Sequence, residues 1–200
     1  TVGEYARMVN GEGWLTNGIK CKLKVVSCEN YSHSTPYELP VKPSPNLPNY
    51  RSVLLYPSIC FFEGTEVSLG RGTNKQFQVL GHPDYKAGDY SFTPQSMPGA
   101  KNPPLLGQTC YGYDLSNLSP EEIRGEARLN LSYLINFYQN FPDKENFFLK
   151  NNWMDKLAGT ATLQAQIKAG KSEAEIRATW QDDLEAFKQI RKQYLLYEDL

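Results

Sequence analysis

Glu63 is the carboxylate whose neighbours could most change its chemistry. It follows the apolar run Cys60-Phe61-Phe62 and precedes Gly64 and Thr65. A glutamate at the end of an apolar strand, beside aromatic rings, loses water, and desolvation raises a carboxyl pKa in a way that suits a general acid. The same position also suits a glutamate paired with a neighbouring lysine or arginine. Arg71 stands between Gly70 and Gly72, with Thr73 next. Flanking glycines let a ligand approach the backbone, and a guanidinium there can hold a carboxylate through two parallel hydrogen bonds. A hairpin turn carrying a surface arginine accounts for the same residues. The run is no phosphate-binding P-loop: the G-x-x-x-x-G-K-[ST] spacing is absent, and Lys75 lies between Asn74 and Gln76. Glu12, between Gly11 and Gly13, is either a second site carboxylate or a charged loop residue.

Other chemistries find little support. His33 and His82 are isolated, so no Ser-His-Asp or Cys-His arrangement can be drawn. The four cysteines contain no CxxC pair, and with two histidines they offer no zinc-ligand spacing, so neither a metal nor a cofactor is expected. Cys21, Cys60 and Cys110 lie in apolar runs and read as buried free thiols; a disulfide would need an exported protein. A net charge of −1 argues against a nucleic-acid partner. No apolar run approaches the roughly 18 residues of a membrane span.

The elements that must position these residues follow from composition and periodicity. Hydrophobic residues make up 40% and charged residues 22% of 200 residues, enough for a globular core in one domain or two small ones. The 13 Tyr, 9 Phe and 3 Trp should mostly fill that core, with some free to line a groove as stacking faces. Thr1 to Glu4 has capping-box spacing, and Val2, Tyr5, Ala6 and Val9 form a helical stripe. A chain that opens directly on a helix reads as cut at a domain or proteolytic boundary. Lys20–Val26 alternates polar and apolar, as a half-exposed strand does. Residues 34–50 carry five prolines and 94–104 four more, so both are irregular. Ser58–Phe62, Val67–Leu69 and Phe77–Leu80 read as short strands joined by tight turns, and Gln108–Leu115 as a further strand. Ser119-Pro120-Glu121-Glu122 opens a helix whose face runs Ile123, Ala127, Leu131, Leu134, Ile135 and Tyr138. Ser172 and Glu175 open the last helix, with Ile176, Trp180, Leu184, Phe187 and Tyr194 as its buried stripe. Strands first and helices later predict an α+β fold: a small mixed or antiparallel sheet or partial barrel with long proline-rich loops, packed by C-terminal helices.

An ordered set of short motifs then resembles one family. Ser44-Pro45-Asn46-Leu47-Pro48, Leu55-Tyr56-Pro57, Phe62-Glu63-Gly64-Thr65 and Ser68–Thr73, with Phe77 and Gly81 after, look like the C-terminal half of the NamZ-type exo-β-N-acetylmuramidases. The ending, Ile176-Arg177 to Phe187 and Arg191–Tyr197, is also similar. Gln76 and His82 depart from the pattern, which has proline and a small residue there. The resemblance implies a glycoside hydrolase that removes N-acetylmuramic acid from non-reducing ends of peptidoglycan fragments. It implies residues 1–200 as a single C-terminal domain, partnered by a Rossmann-like N-terminal domain outside this chain, with the active site between the two. Carried over residue by residue, it makes Glu63 catalytic or substrate-positioning. It places Arg71, Gly72, Thr73, Thr65, Asn46 and Tyr56 in substrate binding, with Arg71 the clamp for the lactyl carboxylate. It further implies a periplasmic or exported protein whose isolated 200 residues do not turn over substrate. A non-catalytic carbohydrate-binding or scaffolding domain remains the alternative.

Overall fold

A computed structural model describes residues 1–199 of the chain. The chain, expected as one domain, forms two compact units: Thr1–Tyr37 with Arg177–Leu200, and Glu38–Ile176. The α+β class holds: the described residues form helices and one small antiparallel sheet. No helix of the described residues is long and apolar enough to cross a membrane.

The first unit begins with α1 (Val2–Gly11), which forms where its capping box predicts. The Thr1 hydroxyl accepts from the Glu4 N–H at 3.3 Å, and the Glu4 carboxylate accepts from the Thr1 amine at 2.5 Å. Glu4 does more than cap. It is buried, and it accepts from the backbone N–H groups of Leu196 (2.8 Å) and Tyr197 (3.3 Å), with His33 Nε2 at 2.9 Å. Lys20–Val26 is not a strand. It runs with no ladder beside it, and the Asn10 side chain holds its backbone instead, accepting from Cys21 N–H at 2.7 Å and donating to Cys21 C=O at 3.1 Å. Alternation alone cannot make a strand without a neighbour to pair with.

The second unit opens with α2 (Tyr50–Ile59), which corrects the strand expected over 58–62. Asn49 caps it by a box with Ser52. The buried positions Ser52, Leu55, Ile59 and Phe62 recur at three- and four-residue steps, so the apolar run winds as one helical face and tightens into a 3₁₀ turn over Cys60–Gly64. The sheet comprises β1 (Val79–His82), β2 (Tyr90–Phe92) and β3 (Cys110–Asp114), in the order β1-β3-β2. Leu80 pairs with Tyr113 and Ser91 with Tyr111. Val67–Leu69 contributes only an isolated bridge, Ser68 to Gly81. The sheet is open, with no barrel closure.

The helices that follow are shorter than their periodicity suggested. Ser119 caps α3 (Pro120–Gly125) as expected, but Ala127 at φ 46° ends it, and α4 (Ser132–Asn140) starts afresh. Next come α5 (Trp153–Ala158), α6 (Thr162–Lys168), α7 (Glu173–Ala178) and α8 (Gln181–Lys192). Trp180, at φ −112° and ψ 4°, separates α7 from α8. The stripe expected to be buried is therefore split. Ile176 is buried, whereas Leu184 and Phe187 are exposed.

The aromatic surplus is mostly core. The Phe137 ring stacks on Tyr85 at 3.9 Å and meets Phe62 edge-on at 5.6 Å. Tyr85 shares a 2.5 Å hydrogen bond with Tyr113. All four cysteines are free. Cys110 is buried, Cys60 partly so, and Cys21 is exposed with Cys28, so only Cys110 matches a buried thiol in full.

Candidate functional site

Glu63 sits in the 3₁₀ turn at the end of α2, not at a strand end. Close packing fixes that turn. A Cβ on Gly64 would come within 2.7 Å of the Met154 backbone, so glycine lets α5 lie against it. The Gly64 carbonyl then accepts from Leu149 N–H at 2.9 Å, and Glu66 N–H donates to the Phe147 carbonyl at 3.0 Å. Arg71 is set by a different local rule. Gly70 and Gly72 both take positive φ, 73° and 81°, and the Thr73 hydroxyl closes the turn by donating to the Gly70 carbonyl at 2.7 Å and accepting from Lys75 N–H at 3.0 Å. The hairpin-like turn is thus real, and its arginine has a partner.

That partner is Glu63. Arg71 Nη2 donates to Glu63 Oε2 at 2.9 Å, with side-chain exposures of 34% and 24%. The guanidinium also lies 5.2 Å from the centroid of the Phe77 ring. Phe77 is buried at φ 53°, a left-handed conformation a bulky residue adopts only when its surroundings enforce it. The expected catalytic acid and the expected carboxylate clamp therefore hold each other.

Both residues line one cleft of about 630 Å³, together with Thr65, Glu66, Lys101, Asn102 and Leu105. Its lining includes one aromatic residue, Phe62, which is fully buried, so the cleft presents no stacking platform. The other expected residues divide by what they touch. Thr65 lines the cleft, but its buried hydroxyl donates to the Phe62 carbonyl at 2.8 Å and accepts from Val67 N–H at 3.2 Å. Gly72 and Thr73 stand behind the lining. A Cβ on Gly72 would meet Gln95 O at 2.5 Å, and the Gly72 carbonyl accepts from Gln95 N–H at 2.8 Å. Asn46 braces the wall by donating to the Gly99 carbonyl at 3.3 Å. Tyr56 packs on Phe77 behind the pair, ring to ring at 5.3 Å. Burial, then the Glu63 charge, push its hydroxyl pKa up, so it stays protonated. Burial, then the same charge, push the Cys60 thiol up to about 11, which makes it a poor nucleophile.

Sequence reasoning missed Glu66, Lys101, Asn102 and Leu105. Two of them, Lys101 and Asn102, belong to the proline-rich stretch 94–104 read only as irregular, and Leu105 follows directly after it. Its usable signal was length, since long loops without secondary structure in compact units are often functional. His82 and Glu12 join no part of the cleft. His82 packs on Phe141 at 4.8 Å with its pKa lowered by burial, and Glu12 accepts from the Tyr194 hydroxyl at 2.5 Å. Among the described residues, no group of three or more His, Cys, Asp or Glu could hold a metal ion.

The family model described as exo-beta-N-acetylmuramidase NamZ, C-terminal, matches residues 54–197, which include the turn, the ion pair and the cleft. The chain belongs to the NamZ family. The corresponding N-terminal model matches residues 1–51, so a chain lying wholly outside the family's N-terminal part is corrected for its first quarter. The peptidoglycan beta-N-acetylmuramidase NamZ of Bacillus subtilis is 32% identical over 98% of this chain and 50% of that protein. A crystal structure of a DUF1343 family protein from Bacteroides fragilis aligns with a TM-score of 0.93 and 52% identity, covering 100% of this chain and 56% of the other. A second DUF1343 family protein of that species, at 18% identity and TM-score 0.78 over 98% of this chain and 56% of its own, shares the fold. The chain thus spans about half the length of the proteins it matches.

Proposed function

We propose that these 200 residues form one wall of the sugar-binding cleft of a glycoside hydrolase that removes N-acetylmuramic acid from non-reducing ends of peptidoglycan fragments. The observation that carries this reading is the Glu63–Arg71 pair facing the cleft, inside the segment that matches the family's C-terminal model. Glycoside hydrolysis uses two carboxyl groups flanking the scissile bond, one of them a proton donor. Glu63 accepts from a guanidinium and so acts as a positioning residue, holding Arg71 at the cleft wall. The acid and base then come from the rest of the family's length, and these 200 residues alone bind sugar without cleaving it. Peptidoglycan fragments as substrate accord with a periplasmic or exported protein.

The experiment is a release assay on a chromogenic muramic acid glycoside, using a protein that joins this chain to the remaining family length. Glu63→Gln and Arg71→Ala are expected to raise KM and lower kcat/KM by about tenfold, roughly 1.4 kcal/mol of lost binding. Undiminished release by both variants would remove the pair from the site. A non-catalytic carbohydrate-binding domain is the second reading, supported by the same ion pair, because a salt-bridged glutamate needs no proton-transfer role. Measurable hydrolysis by the 200 residues alone would overturn both readings, since each leaves the chemistry to the rest of the family's length.

A further inference from the structure

Two cations line the cleft, Arg71 and Lys101, and they differ in what they already hold. Arg71 is engaged by Glu63, so a ligand carboxylate that approaches it also meets a carboxylate of like charge. Lys101 is exposed and has no hydrogen bond or ion pair among the described residues. Its backbone, by contrast, belongs to a firmly tied loop. Gly107 N–H donates to the Pro94 carbonyl at 2.8 Å and closes the loop's two ends, as in an Ω-loop. Gln95 N–H holds the Gly72 carbonyl, and Met97 and Ala100 exchange backbone hydrogen bonds of 3.2 and 2.9 Å. Asn46 ties Gly99 from outside the loop. The loop thereby fixes where the Lys101 stem starts and leaves its ammonium free to reach.

We infer that Lys101 is the specificity-determining residue that reads a carboxylate on the bound sugar, with Arg71, neutralised by Glu63, supplying hydrogen bonds to neutral groups. The inference rests on the cleft being the muramic acid site. N-acetylmuramic acid carries a lactyl carboxylate, and N-acetylglucosamine is the same sugar without it. An ammonium on a flexible stem meets such a group as a point charge, without demanding the planar geometry of a guanidinium. Its contribution is screened by salt.

The test is calorimetric titration of this chain, and of Lys101→Gln and Lys101→Arg, with each of the two sugars. Wild type is expected to prefer N-acetylmuramic acid about tenfold, the preference shrinking as salt is added. Lys101→Gln should lose that preference and keep its affinity for N-acetylglucosamine, while Lys101→Arg should retain both. A Lys101→Gln chain that still prefers the carboxylated sugar overturns the inference and leaves the cleft reading standing. Wild-type binding to both sugars equally overturns it too. Wild type that binds neither sugar rejects the cleft reading itself.

Discussion

Glu4 and Glu63 are the same side chain put to opposite ends, one in each compact unit. Glu4 is almost fully covered, with 7% side-chain exposure, and its two oxygens serve the Thr1 amine, two backbone N–H groups and His33. Burial opposes its ionisation. The hydrogen bonds from the Thr1 amine, Leu196 and His33 outweigh that and hold its carboxyl well below the usual range. Glu63 is 24% exposed, has one donor in Arg71, and faces a cleft. The difference shows how to separate a structural carboxylate from one available to a ligand. The first has its lone pairs filled by groups that cannot leave, and the second is held by a single exchangeable partner.

Substitutions should part the two most sharply in stability. Glu4→Gln removes the charge that the two backbone donors and His33 surround, and should cost about 3 kcal/mol in urea unfolding. A loss under about 1 kcal/mol would make the Glu4 cluster no more structural than a surface pair. Acid should act next. Because the Glu4 pKa is depressed on folding, the unfolded state binds the extra proton first. Its stabilisation is complete above the ordinary glutamate value of about 4.3 and falls away as pH drops below that toward the folded value. The stability-versus-pH curve of Glu4→Gln should therefore be flatter than wild type below about pH 4, and parallel curves would break the comparison. Glu63→Gln should have the smallest effect on folding, within about 1 kcal/mol of wild type, as for other part-exposed ion pairs. Thermal unfolding checks this. A Glu63→Gln loss as large as that of Glu4→Gln would make both residues structural.

What the sequence made legible was local. The capping boxes at Thr1, Ser119 and Ser172 rest on residues three apart, and each forms. The Gly70–Thr73 turn was legible for the same reason, and with it half of the site. Elements decided by distant partners were not. Lys20–Val26 alternates correctly but has no strand beside it, and Leu184 and Phe187 have a helical stripe without burial. In α2, Pro57 and the run Ile59–Phe62 masked a helix that the Asn49–Ser52 box and the spacing of Leu55, Ile59 and Phe62 declare. Lys101 was invisible because its position depends on Gly72, Asn46 and Gly107, each remote in sequence from it or from one another. The Glu63–Arg71 pairing was among the readings the residues allowed, and it forms.

The central claim, that the Glu63–Arg71 cleft is a muramic acid site, is tested most directly by mapping backbone amide shifts of this chain on addition of N-acetylmuramic acid. The account predicts perturbations concentrated in residues 61–73 and 99–105, which line or frame the cleft, and their loss in Arg71→Ala. Saturable shifts confined to other segments, with 61–73 and 99–105 unmoved, would contradict it.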